Sequence, residues 1–147
     1  MAVIREDKEL HRRYGLLISI PGIAQISAIQ LLGELCTLSP DMTVREWVAH
    51  SGLDPAHETS GTSVKKQSRI SRAGNRHLRR ALYMPALVGS RCDPRMKAFY
   101  EALIGRHKTR LQALVAVARK LLHAIYGVLH TKTPYDGRKL FPTLVAS

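Results

Sequence analysis

Thr109-Arg-Leu-Gln-Ala-Leu-Val-Ala-Val-Ala-Arg-Lys-Leu-Leu-His-Ala-Ile-Tyr-Gly-Val-Leu-His130 is the most regular stretch of the chain. Leu111, Leu114, Val115, Ala118, Leu122, Ile125 and Leu129 recur near the helical period and fall on one stripe. At ~1.5 Å per residue the stretch is roughly 30 Å long. A helix of that length with one apolar face is expected to be the spine of a core. No segment shows strand alternation of comparable strength, an internal repeat or low complexity. The expected fold is all-α: a single helical domain over 1–147, with a helical core over 76–130.

Moving outward, Asp93-Pro94 reads as an N-cap followed by proline at the first helical position. The helix it starts carries Met96, Phe99, Tyr100 and Leu103 and stops at Gly105, leaving a basic corner at Arg106-His107-Lys108. Before it, a helix starting at Arg76 points Leu78, Leu82 and Ala86 inward, and Pro85 is expected to kink or end it. On the other side, Thr133 to Gly137 reads as a turn, and the tail docks through Leu140 and Phe141 or frays.

The N-terminal third reads as two helices around Ser19-Ile20-Pro21-Gly22-Ile23-Ala24. The first, 3–18, carries Leu10, Tyr14, Leu17 and Ile18; the second carries Ile26, Ile29, Leu31, Leu32 and Leu35. Together they make a helix-hairpin-helix pattern over about 5–36. In the turn that Pro21 opens, the backbone N–H groups of Gly22 and Ile23, with the next helix's N-terminus, can hold a phosphate without reading sequence. A plain helical corner uses the same residues. Thr43-Val-Arg-Glu46 is a capping box with Met42 and Trp47 at the staple positions, so a short helix runs from Thr43 to about Ser51-Gly52.

Residues 53–75 fit neither period and read as a long basic loop. It holds Ser60-Gly61, then Lys65, Lys66, Arg69, Arg72 and Asn75, and runs into Arg76, Arg79 and Arg80; no acid falls between Thr59 and Cys92. Unpaired cations of this density do not enter a core. They face solvent or a polyanion, and phosphate backbones are the commonest polyanions. The basic first turn after Asn75 opposes the helix dipole, which points to an external anion. The composition agrees: 23 Lys plus Arg against 11 Asp plus Glu give +12 at neutral pH. Only 5% of residues are aromatic, which disfavours broad base-stacking platforms. Cys36 and Cys92 are too few and too far apart for a zinc cluster, the histidines lack ligand spacing, and no metal site is expected. No membrane-spanning run or signal pattern is read, so a cytoplasmic, nucleoid-associated protein is expected.

The landmarks Pro21-Gly22-Ile23, Leu31-Leu32-Gly33-Glu34, Gly52-Leu-Asp-Pro55, Ser60-Gly61, Ile70-Ser71-Arg72, Gly74-Asn75, Leu78-Arg79 and Ala116-Val-Ala118-Arg-Lys120-Leu121 occur in order. In that order the chain resembles the C-terminal transposase domain of the serine-type, bridge-RNA-guided insertion-sequence transposases related to the Piv DNA invertases. The resemblance implies that Ser60 is a nucleophile that joins covalently to DNA. It implies a composite site with a RuvC-like N-terminal domain, absent here, whose acids hold Mg²⁺; this chain would hold no cofactor. The implied partners are DNA, a structured guide RNA, the RuvC-like domain and further copies in a homo-oligomer. Ala24 departs from the glycine often found after Pro-Gly-Ile. On these grounds the isolated chain is expected to be inactive, and the alternative reading is a non-catalytic helix-hairpin-helix module that binds DNA or RNA.

Overall fold

A computed structural model describes residues 7–53 and 76–141, and all regular structure among them is helical. The helices are α1 (Lys8–Ile18), α2 (Gln25–Leu35), α3 (Val44–Ser51), α4 (Arg76–Cys92), α5 (Pro94–Gly105), α6 (Arg110–Thr131) and the single-turn α7 (Gly137–Leu140). The expected all-α class is the observed one.

α6 is the spine, but its buried surface is wider than one stripe. It packs against α4 and α5 on one side and against α1, α3 and α7 elsewhere. Ala113, Leu114, Ala116, Val117, Ala118, Leu121, Leu122, Ala124, Ile125 and Val128 are all buried. At about 100° per residue these positions cover well over half the circumference. The alanines and valines among them explain why a stripe defined by its leucines is too narrow a reading. Leu111 leaves the expected stripe: it is 65% exposed, in the first turn of the helix. By length and composition α6 could also cross a bilayer. In this fold its apolar surface is covered by the other helices.

Local signals fix most boundaries. Asp7 caps α1, accepting from Glu9 and Leu10 N–H. The Thr43 and Thr109 capping boxes are both complete, and Asp93 caps α5 with Pro94 in its first turn. Gly52 ends α3 in the left-handed conformation. Thr43→Ala removes the acceptor for the Glu46 N–H on an eight-residue helix that buries Trp47 and Val48. It is expected to cost about 1 kcal/mol in a urea titration, with Thr43→Ser close to wild type.

Of the two outcomes expected at Pro85, an end to the helix is ruled out, and two inward assignments are corrected. α4 runs seven residues past Pro85, to Cys92. Proline removes one donor at position 85, but the helix is buried on both sides of it, through Leu78, Ala81 and Leu82 before and Ala86, Gly89 and Ser90 after, and it packs against α2, α5 and α6; packing outweighs the missing bond. Ile18 and Ile26 are exposed rather than inward, and Leu16 and Ala28 take the buried positions. Of the two expectations for the tail, docking holds as far as Phe141, which is buried. It packs edge-on against Phe99, and its carbonyl accepts from Arg95 Nη1 at 2.8 Å.

Candidate nucleic-acid interface

The turn between α1 and α2 is built against α4. Ile23 N–H donates to Ile20 O at 3.1 Å, and Gly22 has φ of 93°. A Cβ on Gly22 would lie 2.5 Å from the Pro85 carbonyl oxygen and 2.9 Å from Gly89 N. On α4, a Cβ on Gly89 would lie 3.3 Å from Pro21 O and 2.5 Å from Met96 Sδ. Gly22 and Gly89 therefore let two backbones touch. Among the hairpin residues singled out by sequence, Ile23 is buried with its amide spent inside the turn, and Pro21 and Gly22 are half-buried. What the turn leaves open is the start of α2. Ala24 offers no side-chain cap, and Ala24, Gln25 and Ile26 are exposed.

α4 begins with cations and no acid. Arg76, His77 and Arg80 are exposed and Arg79 is half-buried, whereas Leu78, Ala81 and Leu82 anchor the same two turns in the core. His77, Arg80 and Ala81 border a shallow pocket with Ile29, Gln30, Gly33 and Glu34 of α2. Glu34 is the one carboxylate there, yet among the described residues neither Arg76 nor Arg80 forms an ion pair. The pairs present are Arg12 and Arg13 with Glu9, and Arg138 with Asp136.

Ser60, Gly61, Lys65, Lys66, Arg69, Arg72 and Asn75 lie outside the described residues. The residues on either side of that segment are anchored in the core. Ser51 is fully buried, donates to Val48 O and accepts from Leu53 N–H. Leu53 is buried, and its carbonyl accepts from Arg119 Nη1 of α6 at 3.0 Å. Leu78, two residues beyond the other flank at Arg76, is buried as well.

A second group of basic side chains was not singled out from sequence. Arg119, Lys120 and His123 occupy the narrow polar arc of α6, and Lys139 of α7 joins them around a pocket of about 250 Å³ walled by Phe99. Lys120 Nζ lies over the rings of Phe99 and Phe141, 5.1 and 5.5 Å from their centroids. Partial burial, then the Lys120 and Arg119 charges, hold the His123 imidazole below its ordinary pKa. The positions 119, 120 and 123 were legible as one helical face. Their meeting with Lys139 depends on the docked tail and was not. Among the described residues no set of three or more His, Cys, Asp or Glu side chains converges as metal ligands.

These features define an all-helical, strongly basic domain with cationic clusters at a helix entrance and on its central helix. The chain belongs to the IS116/IS110/IS902 transposase family, whose model matches residues 14–101. It is 36% identical over 131 residues to the pilin gene-inverting protein of Moraxella bovis, and equally so to that of Moraxella lacunata. It is 31% identical over 130 residues to an insertion element IS110 protein of Streptomyces coelicolor. Each match covers 88% of this chain, but 41% of the two Moraxella proteins and 32% of the Streptomyces one. The chain thus spans about two fifths or less of the length of these relatives.

Proposed function

We propose that this chain is the DNA-contacting, strand-joining portion of an insertion-sequence recombinase in which Ser60 is the nucleophile. The observation that carries the DNA-binding half is the entrance of α4, where exposed Arg76 and Arg80 crowd a helix N-terminus with no acid in its first turn. Such a placement costs folding free energy through the helix dipole and gains it back when a phosphate binds. Family membership and the relatives named for gene inversion and insertion elements support the recombination half.

In the proposed reaction Ser60 Oγ attacks a backbone phosphorus. The Oγ–P bond forms, the P–O3′ bond breaks, and the 3′ oxygen leaves and takes up a proton as the serine gives one up. The product is a DNA 5′-phosphate esterified to the protein, with the bond energy conserved for rejoining. Lys65, Lys66, Arg69, Arg72, Asn75, Arg76, Arg79 and Arg80 would position the strand by phosphate contact. The described residues offer no donor set that fits Mg²⁺. On the resemblance, Mg²⁺ would be held by acids of a RuvC-like domain, and no step here runs through it. A structured guide RNA and a homo-oligomer belong to the same proposal, as does a place of action at the nucleoid.

The test combines this chain, a RuvC-like domain of the family and end-labelled duplex DNA. A protein–DNA adduct that survives denaturing gel electrophoresis is expected, lost in Ser60→Ala and retained in Ser63→Ala, Ser68→Ala and Ser71→Ala. Adduct formation by Ser60→Ala would remove the assignment. Salt-sensitive DNA binding with no adduct under any condition would favour a non-catalytic binding module.

A further inference from the structure

The pocket between α5, α6 and α7 lies outside every residue assigned above. Its polar groups are Arg119, Lys120, His123 and Lys139, and no carboxylate among the described residues lines it. Two of these cations are also held in place. Arg119 is tethered to Leu53 O, and Lys120 sits over two aromatic rings. A tethered long side chain loses less rotamer entropy on binding than a free one, so such a cluster is preorganised for an anion. A cavity of about 250 Å³ opening on exposed His123 and Lys139 has room for a phosphodiester group.

We propose that Arg119, Lys120, His123 and Lys139 form a second contact site for the phosphate backbone of DNA, apart from the entrance of α4. The assignment rests on the DNA-binding reading given above and extends it to a different part of the fold. Arg119 gives the site its functional logic. The residue that lines this pocket also holds Leu53, the last described residue before the segment that contains Ser60. A strand gripped at α6 is therefore gripped beside one root of that segment. His123 supplies the reporter. Partial burial first, then the Lys120 and Arg119 charges, discourage its protonation; a bound phosphate would offset those charges, so the imidazole should protonate more readily in the complex.

Two measurements test this on the full chain. The first is the affinity for a short duplex DNA as a function of salt, for wild type, Lys139→Glu/His123→Glu, Arg76→Glu/Arg80→Glu, and the exposed control Lys8→Glu. The α6–α7 variant is expected to bind about tenfold more weakly at low salt, with the slope of log K against log salt reduced by about 0.9 for each phosphate no longer neutralised. Lys8→Glu should change little, and circular-dichroism melting shows whether each variant is folded. The second is the NMR titration of His123 in wild-type protein, free and bound to the duplex, with the apparent pKa rising on binding. Binding by Lys139→Glu/His123→Glu equal to that of Lys8→Glu, with His123 titrating identically in both states, overturns the second site. If the Arg76→Glu/Arg80→Glu chain is weakened in the same series, the DNA-binding reading survives that result; a wild-type chain that binds no duplex ends both. A His123 response to a folded RNA but not to duplex DNA also overturns the assignment.

Discussion

Gly22→Ala is expected to destabilise the domain by about 3 kcal/mol, the sum of backbone strain and overpacking. An L-residue at φ of 93° lies outside the small left-handed region that side chains tolerate. The added methyl would also sit 2.5 Å from the Pro85 carbonyl oxygen. That neighbour is helix backbone and cannot swing aside as a side-chain end can. Relief requires the 19–24 turn to move off α4, which separates α2 from α4 along a major interface of the core. At about 2–4 °C per kcal/mol for a domain of this size, the melting temperature should fall by roughly 10 °C. Gly33→Ala is the matched control. Nothing lies within 4 Å of its Cβ position, its φ is ordinary, and it sits inside α2. It should be neutral or raise stability by up to about 1 kcal/mol. A Gly22→Ala protein that melts with wild type would show that the turn does not bear on α4 as described.

The Gly22 contact marks the limit of what was legible in the sequence. Pro21-Gly22 announces a turn by its local chemistry, and the turn is there. That the turn presses on Pro85 and Gly89, more than sixty residues away, leaves no local trace, because any flexible corner is written with the same two residue types. Capping boxes at Thr43 and Thr109, and the Asp93-Pro94 start, were readable because their partners lie within one helical turn. At Pro85 the local signal left a kink and an end both open, and that the helix does not end there is decided by tertiary packing. Leu111 and Ile26 were assigned inward by periodicity, yet both sit in the first turn of their helices and are exposed. For the candidate interface, Arg76 and Arg80 were readable from charge against the dipole. The α6–α7 pocket was not, because Lys139 reaches it only through the docking of Phe141.

Arg76→Glu/Arg80→Glu is expected to move stability and DNA affinity in opposite directions. Arg76 opens α4 and Arg80 lies one turn in, and both are exposed. Exchanging cations for carboxylates near a helix N-terminus improves the interaction with the dipole by about 0.3–1 kcal/mol, most of it at Arg76, which is closest to the end. No described ion pair is broken at either position, and the buried anchors Leu78, Ala81 and Leu82 are untouched. Thermal melting should therefore be unchanged or slightly raised. Duplex binding should weaken by roughly a hundredfold at low salt, and the salt slope should fall by about 1.8 if both residues contact phosphates. A structural role for these arginines predicts the reverse: lower stability, with affinity following the folded fraction. Glu34 sharpens the comparison, since it lines the pocket beside Arg80 and a glutamate at position 80 would face it. Arg76→Glu alone avoids that repulsion, and on the proposed reading it still combines a stabilised helix with weakened binding.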